Sequence, residues 1–243
     1  MWRAVWDGNP YGVATHRDLQ WKLLHRPRAK HMQWLCKPAT CMHPDCVARL
    51  PDPQARGLHH FLSDCRVSGS VWEWLSGVWE GVIGRPVDLS SPHCFTGTPS
   101  YPGVPLGQMD SPVWRALHST TLYHLWCAWT AWAHEETPPH PPDICAGVIA
   151  SLGSRMPVLL RQARLPDRGG AQCRWSHEEF TRQWSQEGCL ATMGDDGILR
   201  AHIPTHGQTI QAPRPGSPEP MTRRPGRTSR PSRAETGIPW DTG

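Results

Sequence analysis

Four donors fall within twenty-five residues as two matching pairs, Cys41 with Cys46 and His60 with Cys65, in the order C-x4-C, loop, H-x4-C. No other feature restricts the fold of this chain as much. Zn²⁺ takes thiolate and imidazole ligands tetrahedrally, and two short ligand pairs joined by a short loop gather four donors at little loop-closure entropy. With every coordination position filled by protein, the pattern predicts structural rather than catalytic zinc. The same stretch also offers substitutes: His59 for His60, His43 with Cys46 for the cysteine pair, and Cys36 as a further competitor.

The cysteines number 9, an odd count, and most have no partner at a regular spacing; the opening residues carry Arg3 and Asp7 and do not form an apolar leader. Both points favour an intracellular, reducing compartment, nucleus or cytoplasm, where neighbouring Cys and His bind metal instead of forming disulfides. No unbroken run of eighteen apolar residues occurs, so no membrane partner is expected. The net charge of +4 is small, and several arginines sit in the C-terminal tail, so net charge alone argues little for a polyanion partner.

With 14 tryptophans, 26 prolines and 22 glycines in 243 residues, short helices joined by irregular loops are expected. The stretch 18–26 (DLQWKLLHR) reads as a short helix stopped by Pro27. After Cys65, the residues Val71, Leu75, Val78, Trp79, Val82 and Ile83 share one side of a helix, with Ser68 or Ser70 as its cap and Gly84 and Pro86 as its end. Ser111-Pro112 suits the cap and first turn of a second strong helix carrying Trp114, Leu117, Leu122, Leu125, Trp126, Trp129 and Trp132. A third helix starts at Pro142 and breaks or kinks at Pro157; Ser176 with Glu179 forms the capping box of a fourth. Gly194-Asp195-Asp196-Gly197 reads as a hairpin turn before an edge strand at 198–203. Beyond about Thr205, Pro, Arg, Ser, Gly and Thr dominate, and a stretch so poor in apolar side chains cannot offset the entropy of ordering.

These residues resemble the zinc-binding region that follows the reverse transcriptase in non-LTR (LINE-type) retrotransposon polyproteins. The matching pieces are Trp21 with Leu24-His25-Arg26, the pair Cys41 and Cys46, the run His60-Phe61-Leu62-Ser63-Asp64-Cys65, and Val71-Trp72-Glu73-Trp74-Leu75 with Trp79. Trp114-Arg115-Ala116-Leu117 and Leu122-Tyr123-His124-Leu125-Trp126 are similar to the downstream helix of that family. The likeness covers roughly 18–136 and continues more faintly to Ile203. Two places depart from the pattern: many members use C-x2-C, and a Glu-Thr pair usually precedes the ligand histidine where this chain has Gln54-Ala55-Arg56-Gly57-Leu58. The resemblance implies a role in holding element RNA or target DNA near a polymerase.

Lys22, Arg26, Arg28, Lys30 and Lys37 ahead of the ligands, with Arg49 and Arg66 beside them, are the candidate phosphate contacts; Arg56 also lies near the ligands, and a solvated surface is the default for such residues. The tryptophans are expected mainly in the core, with Trp74 the one most exposed because it lies off the Val71-Leu75-Val78 stripe. Asp195-Asp196 lacks the strand context of a polymerase carboxylate pair, and no nucleophile elbow, phosphate-cradling loop or zinc-protease helix is present.

The expectation is therefore a mainly α chain: a zinc-stapled domain at 1–88, a linker at 89–110, a Trp-rich helical region with a short hairpin at 111–204, and a disordered basic tail at 205–243. Its expected role is noncatalytic zinc and nucleic-acid binding as a fragment of a retrotransposon polyprotein. The alternative is a helical module that docks a protein partner on the Trp-rich helix.

Overall fold

The computed structural model describes residues 13–24, 40–89, 95, 97, 111–135, 137–164, 177–185, 190–193 and 199–207. They belong to one compact unit, Met1–Ala212. Arg26, Arg28, Lys30, Lys37, Cys36, Ser176, the turn at 194–197 and the basic tail beyond Gly207 lie outside the described residues.

The fold is mainly helical. In chain order the elements are α1 (Ala14–Leu24), α2 (Pro44–Arg49), a 3₁₀ turn (Pro53–Arg56), α3 (Leu58–Ser63), α4 (Arg66–Ile83), α5 (Pro112–Glu135), α6 (Pro141–Arg164), α7 (His177–Ser185), β1 (Ala191–Met193) and β2 (Leu199–Ala201). Helix α5 is the hub, packed by α1, α3, α4 and α6. Its Ser111 hydroxyl accepts from the Val113 N–H at 3.2 Å, the cap expected from Ser-Pro. From Val113 to Leu122 nearly every side chain is buried, so no polar face survives there. Ser119 and Thr121 satisfy their hydroxyls by donating back to the carbonyls of Ala116 and Leu117.

Helix α4 ends as its sequence predicts. Gly84 takes φ +65°, a left-handed conformation that favours glycine, and its N–H reaches the Glu80 carbonyl at 2.7 Å. The start differs from expectation: the N-cap is Cys65, and Ser68 lies inside the helix with its hydroxyl donating to the carbonyls of Phe61 and Cys65. Trp74 is also corrected. It is 8 % exposed, because α4 is covered on more than one side, and its indole N–H donates to the Pro204 carbonyl at 2.9 Å.

Helix α6 continues through Pro157 without interruption. Ile144, Cys145, Val148, Leu152, Met156 and Leu160 line its buried face. The span 141–161 is long and apolar enough to cross a membrane, but a helix laying such a face on a core passes the same test. Phe180 and Trp184, one turn apart on α7, pack beside α6 and β1. The strands pair antiparallel with Ala191 opposite Ala201 and Met193 opposite Leu199, and the His202 N–H extends the ladder to the Leu190 carbonyl.

A single hydrophobic cluster runs from Cys41 through Trp79 and Trp129 to Ile203, so the stretches 1–88 and 111–204 share a core. Within 89–110, Leu89 and Phe95 are buried in that cluster, and the Gly97 carbonyl accepts the Trp114 indole N–H at 2.7 Å.

Candidate metal centre

The ligand stretch contains little hydrophobic material of its own, and backbone bonds shape it. His43 caps α2, Pro44 opens it and Cys46 sits on its inner side, with its carbonyl accepting from Leu50 at 2.8 Å. The Asp52 carboxylate accepts from the Gln54 N–H at 2.9 Å and starts the 3₁₀ turn. Gly57 then leads into α3, where Phe61 and Leu62 are fully buried and place His60 on the same turn. The His60 carbonyl accepts from both Asp64 and Cys65, so the last ligand is tied to the third before α4 begins.

This framework brings Cys41, Cys46, His60 and Cys65 together, all four buried, with their donor atoms within 4.8 Å of one another. The Cys65 sulfur lies 3.6 Å from that of Cys41 and 3.8 Å from that of Cys46. Two thiolates bound to one tetrahedral Zn²⁺ at about 2.3 Å each are separated by about 3.8 Å, the edge of the tetrahedron. A disulfide would require about 2 Å, and the three cysteines are free. Neither ring nitrogen of buried His60 finds a hydrogen-bond partner outside the sulfur cluster. An imidazole buried without partners is costly unless another acceptor of its lone pair is supplied, and a metal ion is such a group.

The electrostatics agree. The Cys41 thiol is held down to about 5, first by its hydrogen bond with the Cys65 thiol and then by the His43 backbone, Cys46 and His60, against the opposing effect of burial. The same hydrogen bond, with burial and the nearby sulfurs, pushes Cys65 well up. Three crowded sulfurs therefore resist carrying three negative charges by themselves, and a dication removes that conflict. The cluster is a Cys3His site able to hold a metal ion.

The described substitutes, His59 and His43, are not part of it. His59 stacks on Phe95 with ring centroids 4.5 Å apart, and His43 occupies the cap of α2. Of the basic candidates, Lys22 pairs with Asp18 at 2.6 Å. Arg49 donates to the Asp64 carbonyl at 2.6 Å, and Arg66 pairs with Asp45. Both ion pairs are exposed and contribute at most about 1 kcal/mol; Arg49 and Arg66 tie α2 to the α3–α4 junction. Arg56, read from sequence only as a basic residue near the ligands, is buried and donates from Nη1 to the Cys41 carbonyl at 2.7 Å. Its place beside the first ligand depends on the loop fold, which residue spacing does not reveal.

The tryptophans are mostly core. Trp72, Trp74, Trp79, Trp114 and Trp129 are buried, while Trp126 and Trp132 are half-buried on α5 and Trp21 is 38 % exposed on α1. Comparison of the chain with family models, curated proteins and solved structures found no match.

Proposed function

We propose that this chain is a noncatalytic zinc-organised helical module, in which one Zn²⁺ bound by Cys41, Cys46, His60 and Cys65 staples an otherwise thinly packed loop to the Trp-rich core. The observation that carries the reading is the coincidence of tetrahedral sulfur spacing with a buried imidazole that has no hydrogen-bond partner outside the cluster. Zinc is preferred because a d¹⁰ dication accepts a closed set of three thiolates and one imidazole with no geometric penalty. Each ligand has a structural task as well: Cys65 caps α4, and His60 lies on α3, whose Phe61 and Leu62 are in the core.

The resemblance to post-reverse-transcriptase zinc-binding regions supports reading the chain as a fragment of a retrotransposon polyprotein that meets RNA or DNA. In that role Arg49 and Arg66 are the exposed cations at the rim of the cluster, whereas Arg56, which touches Cys41, is buried. The competing protein-docking reading has less to stand on, since Trp114 and Trp129 are enclosed.

The test is elemental analysis of purified protein together with Cys46→Ser and Cys65→Ser. About one zinc per chain, lost in both variants, is expected; unchanged zinc in both ends the metal reading. Binding to single-stranded RNA and DNA should weaken steeply with added salt, because phosphate contacts release counterions. Salt-insensitive binding, or none at low salt, removes the nucleic-acid part.

A further inference from the structure

Arg56 is 5 % exposed. Arginine is rarely that buried without hydrogen bonds and a countercharge. Its hydrogen-bond partners are neutral: Nη1 donates to the Cys41 carbonyl at 2.7 Å, and its own carbonyl accepts from the Cys41 N–H, also at 2.7 Å. Nε is buried and makes no hydrogen bond. Among the described residues the ion pairs belong to Lys22, Arg66, His140 and Arg182, and no carboxylate pairs with Arg56. A guanidinium left without a countercharge in such surroundings carries a desolvation penalty that bonds to neutral carbonyls only partly offset.

The neighbouring ligand set offers the missing charge. Three thiolates and a neutral imidazole around a dication leave one excess negative charge, and Cys41 carries one of those thiolates. We infer that Arg56 is a positioning and charge-balancing residue of the metal centre. It ligates nothing, grips the Cys41 backbone from both sides, and places a permanent cation beside an anionic centre. Either partner alone would be a buried charge without compensation; together they form an ion pair. The inference rests on the zinc reading above.

The experiment measures zinc affinity of the full chain by competition with a chromophoric chelator, for the parent, Arg56→Gln and Arg56→Met. Gln keeps a donor for the Cys41 carbonyl without the charge, and Met removes both. Each is placed in three ligand sets: native, Cys46→His, which makes the centre neutral, and His60→Cys, which makes it more anionic. In the native set both arginine variants should bind roughly 10- to 100-fold more weakly, the usual effect of losing a group that supports the ligands. The loss should shrink with Cys46→His and grow with His60→Cys, and Co²⁺ spectra of the native-set variants should keep tetrahedral thiolate bands. Should one altered ligand set not hold zinc, the other decides. An equal loss in all sets, or an Arg56→Gln variant that binds as tightly as the parent, overturns the inference and leaves Arg56 a hydrogen-bonding strut. A parent that binds no zinc is a separate result and defeats the metal reading itself.

Discussion

The indole N–H of Trp74 donates to the carbonyl of Pro204 at 2.9 Å, across 130 positions of sequence. Through this bond α4, which begins at the candidate ligand Cys65, is fastened to the segment that follows β2. Trp74→Phe keeps most of the ring's apolar contact and leaves the carbonyl unpaired, so a loss of about 1 kcal/mol is expected. Trp74→Ala should cost about 3–5 kcal/mol. Urea denaturation of metal-loaded protein measures both, and equal stability of the Phe variant and the parent would show that the bond contributes nothing.

Two glycines of α6 should respond to alanine with opposite sign. A Cβ on Gly147 would lie 2.9 Å from Nδ1 of His124, whose Nε2 is held by the Ser151 hydroxyl at 2.7 Å, so the ring cannot easily withdraw. Gly147→Ala should destabilise by about 1–3 kcal/mol through overpacking between α5 and α6. Gly153 has nothing within 4 Å of the added carbon. Gly153→Ala should stabilise by up to about 1 kcal/mol from helix propensity. Thermal melts of the two variants side by side decide the matter.

His16 gives the fold a defined acid sensitivity. It is 6 % exposed, stacks on Tyr123 with centroids 4.4 Å apart, and its Nδ1 has no hydrogen-bond partner. Burial first, then the Arg155 guanidinium, then His124, bring it from 6.5 down to about 4. Since the folded state binds this proton less readily than the unfolded chain, the stability is complete above pH 6.5 and is lost as pH falls to about 4. The loss should reach about 3 kcal/mol at the acid end. His124, lowered by burial, acts in the same direction. Denaturant midpoints across this range should fall less for His16→Phe than for the parent; metal loss is common to both and cancels in the difference. Parallel pH profiles would rule the residue out.

Chelation should loosen the ligand stretch before the rest of the fold. The segment between Cys46 and His60 depends on a few backbone bonds and the cluster, whereas α4, α5 and α6 together carry most of the buried apolar residues. Tryptic cleavage after Arg49 should accelerate by more than about tenfold in a strong chelator, the signature of local opening, while far-UV circular dichroism retains most of its helical signal. Simultaneous loss of all helical signal would instead make the ion a condition for folding of the whole unit.

Where local chemistry decided the outcome, the sequence was informative. Gly84 ends α4, Ser111 caps α5, and the four donors converge because their spacing suits a tetrahedron. Errors arose where distant segments intervene. Trp74 looks exposed on a helix judged by one stripe, yet the chain returns at Pro204 to cover it. Ser68 looks like a cap, but the Phe61 carbonyl lies within its reach only because α3 folds back on α4. Arg56 looks like a surface cation until its carbonyl and guanidinium are both seen to engage Cys41. Pro157 suggests a break, whereas the apolar face from Ile144 to Leu160 keeps α6 continuous despite the missing N–H.

The close approach of the Cys65 sulfur to its two neighbours has a thermodynamic corollary. Sulfurs that share hydrogen when alone must surrender it to accommodate an ion, so an ion entering this cluster would acidify its surroundings, and occupancy would track ambient proton activity as much as metal supply.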